Sequence, residues 1–218
     1  MSEVMMWFER GGILMYPLLL SSIVAVWIFL ERLYHLKRAG GKADAIYDAV
    51  KVLVLEGKRQ AAIDRARKHP GPVAAVFRAV LDTSFTERSE LEEVALIQGK
   101  KELQRLSRRL PLLSLIVGIA PLLGLLGTVL GLVKAFQKVA ATQGTVNPSL
   151  LAGGIWEALL TTVVGLVIAI PAALLHYYLD QKVKTYVFQM NHYGALLIQL
   201  LAATDMEDVH ARHRLRSP

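Results

Sequence analysis

Gly153-Gly154-Ile155-Trp156-Glu157-Ala158-Leu159-Leu160-Thr161-Thr162-Val163-Val164-Gly165 sets one carboxylate in a run otherwise apolar enough to enter a bilayer. Glu157 is the single charged residue between Lys138 and Asp180. A carboxylate in hydrocarbon costs several kcal/mol unless it is protonated, hydrated or paired. An intramembrane acid beside two threonines is therefore a candidate ion or proton site. The rest of the chain is read outward from it.

The 218 residues are 54% hydrophobic, with a mean hydropathy of +0.41, which is too apolar for an ordinary soluble domain. Charge is absent from 11–30 and from 110–133, and 139–179 carries Glu157 alone. A spanning helix needs about 20 apolar residues, so three spans are expected. The last uncharged region is longer than one span. It opens with Ala141-Thr142-Gln143-Gly144-Thr145-Val146-Asn147-Pro148-Ser149, a turn-rich loop, and its helix should start between Ser149 and Gly153. The expected fold is an all-α membrane protein with three transmembrane helices and a helical cytoplasmic region.

The net charge of +7 could suggest nucleic acid, but its distribution argues against that. Of the 25 Lys and Arg, 17 fall in 31–109 and none in the 139–152 loop. Arg32, Lys37 and Arg38 follow the first span, Arg105, Arg108 and Arg109 precede the second, and Lys182 and Lys184 follow the third. By the positive-inside rule the N-terminus lies outside, 31–109 in the cytoplasm, the 139–152 loop outside and the C-terminus inside. The first span has Glu3 and Glu9 against Arg10 in its leading flank and no small-residue cleavage site, so it reads as an uncleaved anchor. Four segments follow: 1–31, a short outer N-terminus and the first span; 32–109, cytoplasmic and helical; 110–180, two spans and a short outer loop forming the pore; and 181–218, a cytoplasmic tail.

Within the cytoplasmic segment, 42–55 reads as a helix stopped by Gly57, 58–69 as a second, and 73–81 as a short third after the breaker Pro70-Gly71-Pro72. Ser89-Glu90-Leu91-Glu92 has capping-box form, with Ser89 as N-cap. The helix it opens should run on into the second span, with a possible kink at Pro111.

The second span, Pro121-Leu122-Leu123-Gly124-Leu125-Leu126-Gly127-Thr128-Val129-Leu130-Gly131, carries Gly124 and Thr128 on one face and Gly127 and Gly131 as GxxxG. Small residues let membrane helices approach closely, so Gly124, Gly127, Gly131 and Gly165, with Ala169, are expected to pack copies of the chain together. Thr128 reads either as a pore hydroxyl or as a threonine bonded back to its own helix. The third span matches it with Glu157, Thr161, Gly165, Ala169, Ala172 and His176 on one face. Glu157 reads either as a titrating site or as an acid in the first turns of its helix that complements the dipole. Thr128, Thr162, Glu157 and Thr161 are the candidate pathway residues.

Cysteine is absent, which excludes disulfide and thiolate chemistry. His210 and His213 have metal-like spacing but no third ligand, so no metal site is expected. Nothing resembles a phosphate loop, a nucleophile–base pair or paired carboxylates, so neither an enzyme nor a cofactor is expected. Three spans without an inverted repeat also disfavour a solute transporter.

These two spans resemble those of the MotA/TolQ/ExbB proton channel family, nearest its ExbB and TolQ members. The resemblance rests on the second-span run above and, in the third span, on Glu157-Ala158-Leu159, Thr162, Gly165-Leu166 and Ala169-Ile170-Pro171-Ala172. It extends to Gly11-Gly12, Glu31-Arg32, Ala61-Ala62 and His69-Pro70-Gly71-Pro72-Val73. His176-Tyr177 departs from the Tyr-Asn the family commonly shows there. The resemblance implies a homo-pentamer around two single-span helices of an ExbD- or TolR-like partner, whose membrane aspartate carries the proton. It implies a TonB- or TolA-like protein driven by the motor, a place in the bacterial inner membrane among its lipids, and no nucleic acid. Thr128 and Thr162 then match the family's pore threonines and Glu157 its intramembrane glutamate. Thr161 has no such match. The rival reading is an oligomeric membrane scaffold that conducts no protons.

Overall fold

The structure is a computed structural model that describes residues 12–41, 43–85, 87–141 and 148–216, with backbone alone for 148–150 and 205–216. Among the described residues every regular element is a helix: α1 (Met15–Ala39), α2 (Ala43–Leu55), α3 (Arg59–Arg67), α4 (Pro72–Asp82), α5 (Arg88–Leu106), α6 (Leu110–Ala141) and α7 (Pro148–Arg216). Three helices, α1, α6 and α7, are long and apolar enough to cross a membrane. The expected loop at 142–147 and residues 1–11 lie outside the described residues.

Contacts divide the chain into two units, Met1–Glu31 with Arg109–Leu179 and Arg32–Arg108 with Asp180–Pro218. The first unit is greasy on its outside. Leu20, Ile23 and Trp27 of α1, Leu122, Leu125 and Phe136 of α6, and Leu159, Val167 and Ile170 of α7 are all exposed. Exposed hydrocarbon on this many large side chains is costly in water, whereas lipid or a neighbouring membrane chain solvates it without that penalty. The inside of this unit mixes large aliphatics with small residues: Leu18 of α1 is fully buried against Ala120 and Ala169. Pro121 and Pro171 sit inside α6 and α7, positions that membrane helices tolerate.

The second unit has an ordinary core. Ala43, Ile46, Val50 and Val54 make the buried stripe of α2 at helical spacing. They meet Ile63 of α3, Val76, Phe77 and Val80 of α4, and Met190, Leu197 and Ile198 of α7. Phe77 is fully buried, and burial of one such side chain is worth about 1.5–3 kcal/mol. The segment after 180 is thus not a separate tail. Through residue 204 it continues α7 and closes the core of the 32–108 unit.

Turn chemistry sets the breaks. Gly57 ends α2 with φ +71, as its position after the last apolar residue suggested. Gly71 has φ +146 and precedes Pro72, which opens α4 where a missing N–H is harmless. Arg59 crosses to the last carbonyls of α4, with Nε donating to Leu81 O at 2.9 Å. Two expectations fail. Ser89 is not the N-cap: α5 starts at Arg88, its N-cap is Glu87, and Glu92 is taken by Arg88 at 2.8 Å instead of reaching back. The chain also does not run straight from α5 into α6. Arg109 has φ +71 and breaks it, while Pro111 falls harmlessly in the first turn of α6. Arg109 is held there by an ion pair to Glu31 and by its guanidinium 4.6 Å over the Trp27 ring.

In the second unit the Tyr193 hydroxyl donates to the Asp44 carboxylate. That bond, with lesser help from burial and the charges of Asp44 and Asp48, raises the phenol above its ordinary pKa of 10. A raised phenol pKa stabilises the fold fully below the unfolded value, and the gain is lost as pH climbs through the folded one. The second unit should therefore loosen above about pH 10. Thermal melts of Tyr193→Phe at stepped alkaline pH should lack that component of the loss, and an unchanged alkaline slope would refute the link.

Candidate functional site

The site residues belong to α6 and α7 of the first unit. The two helices pack antiparallel through a ladder of small residues, each read here from what a Cβ added at a glycine would touch. At Gly154 it would meet the Ala135 Cβ at 2.5 Å, and at Gly131 the Ala158 Cβ at 2.7 Å. At Gly127 it would overlap the Thr161 side chain. At Gly124 it would lie 3.0 Å from Thr161 O and from Thr162 Cα, and at Gly165 it would lie 2.7 Å from Ala120 O. Absence of these side chains is what lets the backbones come together.

Gly124, Gly127, Gly131, Gly165 and Ala169 were expected to pack copies of the chain together. Within one chain, Gly124, Gly127, Gly131 and Gly165 join α6 to α7, and Ala169 packs with Ala120 and Leu18. What the unit presents outward from these helices is bulky, as at Leu125, Val129 and Phe136.

The threonines fall on this ladder unequally. Thr161 is buried, and its hydroxyl donates to Ala158 O at 2.7 Å with a longer 3.3 Å approach to Gly124 O. Thr162 donates to Gly124 O at 2.9 Å. The bare backbone at Gly124 thus accepts from the Thr162 hydroxyl of the neighbouring helix, with the Thr161 oxygen close by. Thr128 lies one turn further along α6 and donates to Leu125 O of its own helix at 2.6 Å. No hydrogen bond among the described residues joins Thr128 to Thr162. Each hydroxyl keeps its oxygen lone pairs, so each can still accept a bond from water or a partner group.

Glu157 is half-buried, one turn from Thr161. α7 begins at Pro148, nine residues earlier. At 1.5 Å per residue that places Glu157 about 13 Å along the helix, beyond the first turn where a helix dipole acts strongly. Complementing the dipole of its own helix therefore does not account for it. Its Oε1 instead lies 3.4 Å from where a Cβ on Gly12 would be, at the entry to α1. Sequence periodicity along α7 holds no signal for this contact with a residue 145 positions away. Lys134 of α6 lines the same small cavity. His176 is half-buried further along α7, while the side chains of His210 and His213 lie outside the described residues. Among the described residues no three His, Cys, Asp or Glu converge on a metal position.

Comparison with known proteins gives this arrangement a family. The model of the MotA/TolQ/ExbB proton channel family matches residues 68–192, more than half of the chain. The chain is 37% identical over 169 residues to the biopolymer transport protein exbB1 of Vibrio cholerae, covering 75% of this chain and 73% of that one. It is 25% identical over 209 residues to a putative biopolymer transport protein ExbB homolog of Methanothermobacter thermautotrophicus, covering 93% and 74%. It is also 35% identical over 116 residues to the Tol-Pal system protein TolQ of Haemophilus influenzae, covering 46% and 50%. With three apolar helices of membrane length, a small-residue ladder and a glutamate beside threonines in an apolar helix, this chain belongs to the MotA/TolQ/ExbB proton channel family.

Proposed function

We propose that the chain is the proton-channel subunit of an inner-membrane motor that couples the proton motive force to mechanical work on a periplasm-spanning partner. Five copies surround two single-span helices of an ExbD- or TolR-like protein. The membrane aspartate of that partner carries the proton past Thr128 and Thr162, and a TonB- or TolA-like protein takes up the motion. The N-terminus faces the periplasm and the C-terminus the cytoplasm. The observation that carries this reading is the half-buried Glu157 beside a hydroxyl-bearing α6–α7 seam, in a chain of a proton channel family. The chain itself makes and breaks no covalent bond in this scheme.

One observation favours the second reading, a scaffold without conduction: all three threonine hydroxyls are donated to backbone carbonyls of the chain. Proteoliposomes separate the two. With the single-span partner present, proton flux well above that of the partner-free chain is expected, and equal flux with and without it would favour the scaffold. Glu157 is read here as organising water rather than titrating. Glu157→Gln should then retain much of the flux, whereas Glu157→Ala should lose it. Flux at background for both, with assembly intact, would make Glu157 a titrating residue. Orientation has its own check in a chain without cysteine. A thiol at Thr145→Cys should label from outside, and one at Gln60→Cys only after permeabilisation.

A further inference from the structure

We propose that Gly12 is a positioning residue for Glu157, and that the two residues enclose a binding site for a single structural water. A cavity of about 20 Å³ lies where the entry to α1 meets α6 and α7. Its wall includes Gly12 from the α1 side, Gly127, Gly131 and Lys134 from α6, and Glu157 and Thr161 from α7. That volume suits one water, which needs two to four polar partners.

The partners are there. Glu157 offers carboxylate oxygens that make no hydrogen bond or ion pair among the described residues. Thr161 lines the cavity and has given its proton to Ala158 O, so its oxygen is left as an acceptor. Lys134 brings a donor. A water that donates to the carboxylate and to Thr161 and accepts from Lys134 would satisfy all three. It would also hydrate an acid that is otherwise expensive in an apolar unit.

Gly12 makes this possible twice over. Its φ of +67 is a backbone state that residues with a Cβ adopt at a cost. A Cβ there would stand 3.4 Å from Glu157 Oε1, in van der Waals contact with the carboxylate on the cavity wall that Gly12 forms. The glycine thus keeps the cavity open. Through the water it fixes where the carboxylate points.

Gly57 supplies an internal control. It has φ +71 and nothing within 4 Å of an added Cβ, so Gly57→Ala carries the same backbone strain with no cavity to fill. The test compares Gly12→Ala, Gly12→Ser and Gly57→Ala in the full chain with its single-span partner. Electron microscopy at a resolution that shows ordered solvent should place one water within hydrogen-bond distance of Glu157 and Thr161 in the wild type and none there in Gly12→Ala. Flux per assembled complex should fall at least tenfold in Gly12→Ala and stay unchanged in Gly57→Ala. Gly12→Ser should recover much of the loss, because its hydroxyl can donate to the carboxylate in place of the water. A purely steric role for Gly12 predicts the opposite order, with the larger serine at least as damaging as alanine.

The proposal rests on the proton-channel reading only for the flux measurement. Should the wild type conduct nothing, that reading fails, while the solvent density in the wild type and in Gly12→Ala still decides this one. Should Gly12→Ala fail to assemble, the wild-type density and Thr161→Val, which removes one acceptor from the water, decide it. No ordered water in the wild type, or the same water in Gly12→Ala, would overturn it.

Discussion

Gly165→Val is expected to force α6 and α7 apart and to abolish assembly of the membrane unit. Even the first added carbon would lie 2.7 Å from Ala120 O and 3.2 Å from Gly124 Cα, and backbone atoms cannot swing aside as a long side chain could. Overpacking of this kind costs about 1–3 kcal/mol where a core can adjust, and this site should lie at or above the upper end. Separation would also break the Thr162 bond to Gly124 O. Gly118 on α6 is the control, since an added Cβ there meets nothing within 4 Å. Gly118→Ala should be neutral, or stabilising by up to about 1 kcal/mol through helix propensity. Thermal unfolding followed by tryptophan fluorescence in mild detergent, with size analysis of the complex, checks both. A Gly165→Val protein that assembles and melts like the wild type would show that the α6–α7 ladder is not the seam that holds the unit.

Thr162→Val and Thr128→Val should each bring proton flux near background while leaving assembly intact. Valine keeps the shape of threonine and removes its ability to donate and accept. Thr128 is bonded only within its own turn, and its loss should hardly disturb the fold. Loss of the Thr162 hydroxyl removes one bond from Gly124 O, which as a carbonyl inside α6 keeps its place in the backbone ladder and is not stranded. Thr161→Val should behave differently. Thr161 is buried, and its hydroxyl serves Ala158 O inside the seam. Its loss should lower stability by about 1 kcal/mol, with a smaller effect on flux per assembled complex than either other threonine. Parallel melts and flux assays on the three variants separate the roles. A larger flux defect in Thr161→Val than in Thr162→Val would shift the pathway assignment on α7 by one residue.

The order of these effects could not be read from the span alone. Thr161 and Thr162 are adjacent and chemically identical, and helical spacing places both near the face that carries Glu157 and Gly165. Only the packing shows that Thr161 points into the Gly127 gap while Thr162 reaches over to the Gly124 carbonyl. The same holds for the glycines. Their spacing announces a close helix contact, but spacing carries no label for whether the partner helix belongs to the same chain.

What the sequence determined by itself is whatever a solvent or a single turn enforces locally. The absence of charge over 11–30, 110–133 and most of 139–179 marks three helices for a membrane, because hydrocarbon tolerates neither charge nor unpaired backbone over that length. Gly57 and Pro70-Gly71-Pro72 set helix ends locally, through the positive φ that glycine permits and the missing N–H of proline. Tertiary structure decided what depends on a competitor or a distant neighbour. Ser89 lies inside α5, which starts one residue earlier at Arg88, and Glu92 pairs with Arg88. Arg109 breaks α5 from α6 at positive φ with Glu31 and Trp27, far back in the chain, holding its guanidinium. The basic stretch after 180 became part of a core because Met190, Leu197 and Ile198 found the apolar faces of α2 and α4. Glu157, the residue from which the whole reading starts, met the bare backbone of Gly12. That contact arises when α1 and α7 pack together, and no periodicity within either helix encodes it.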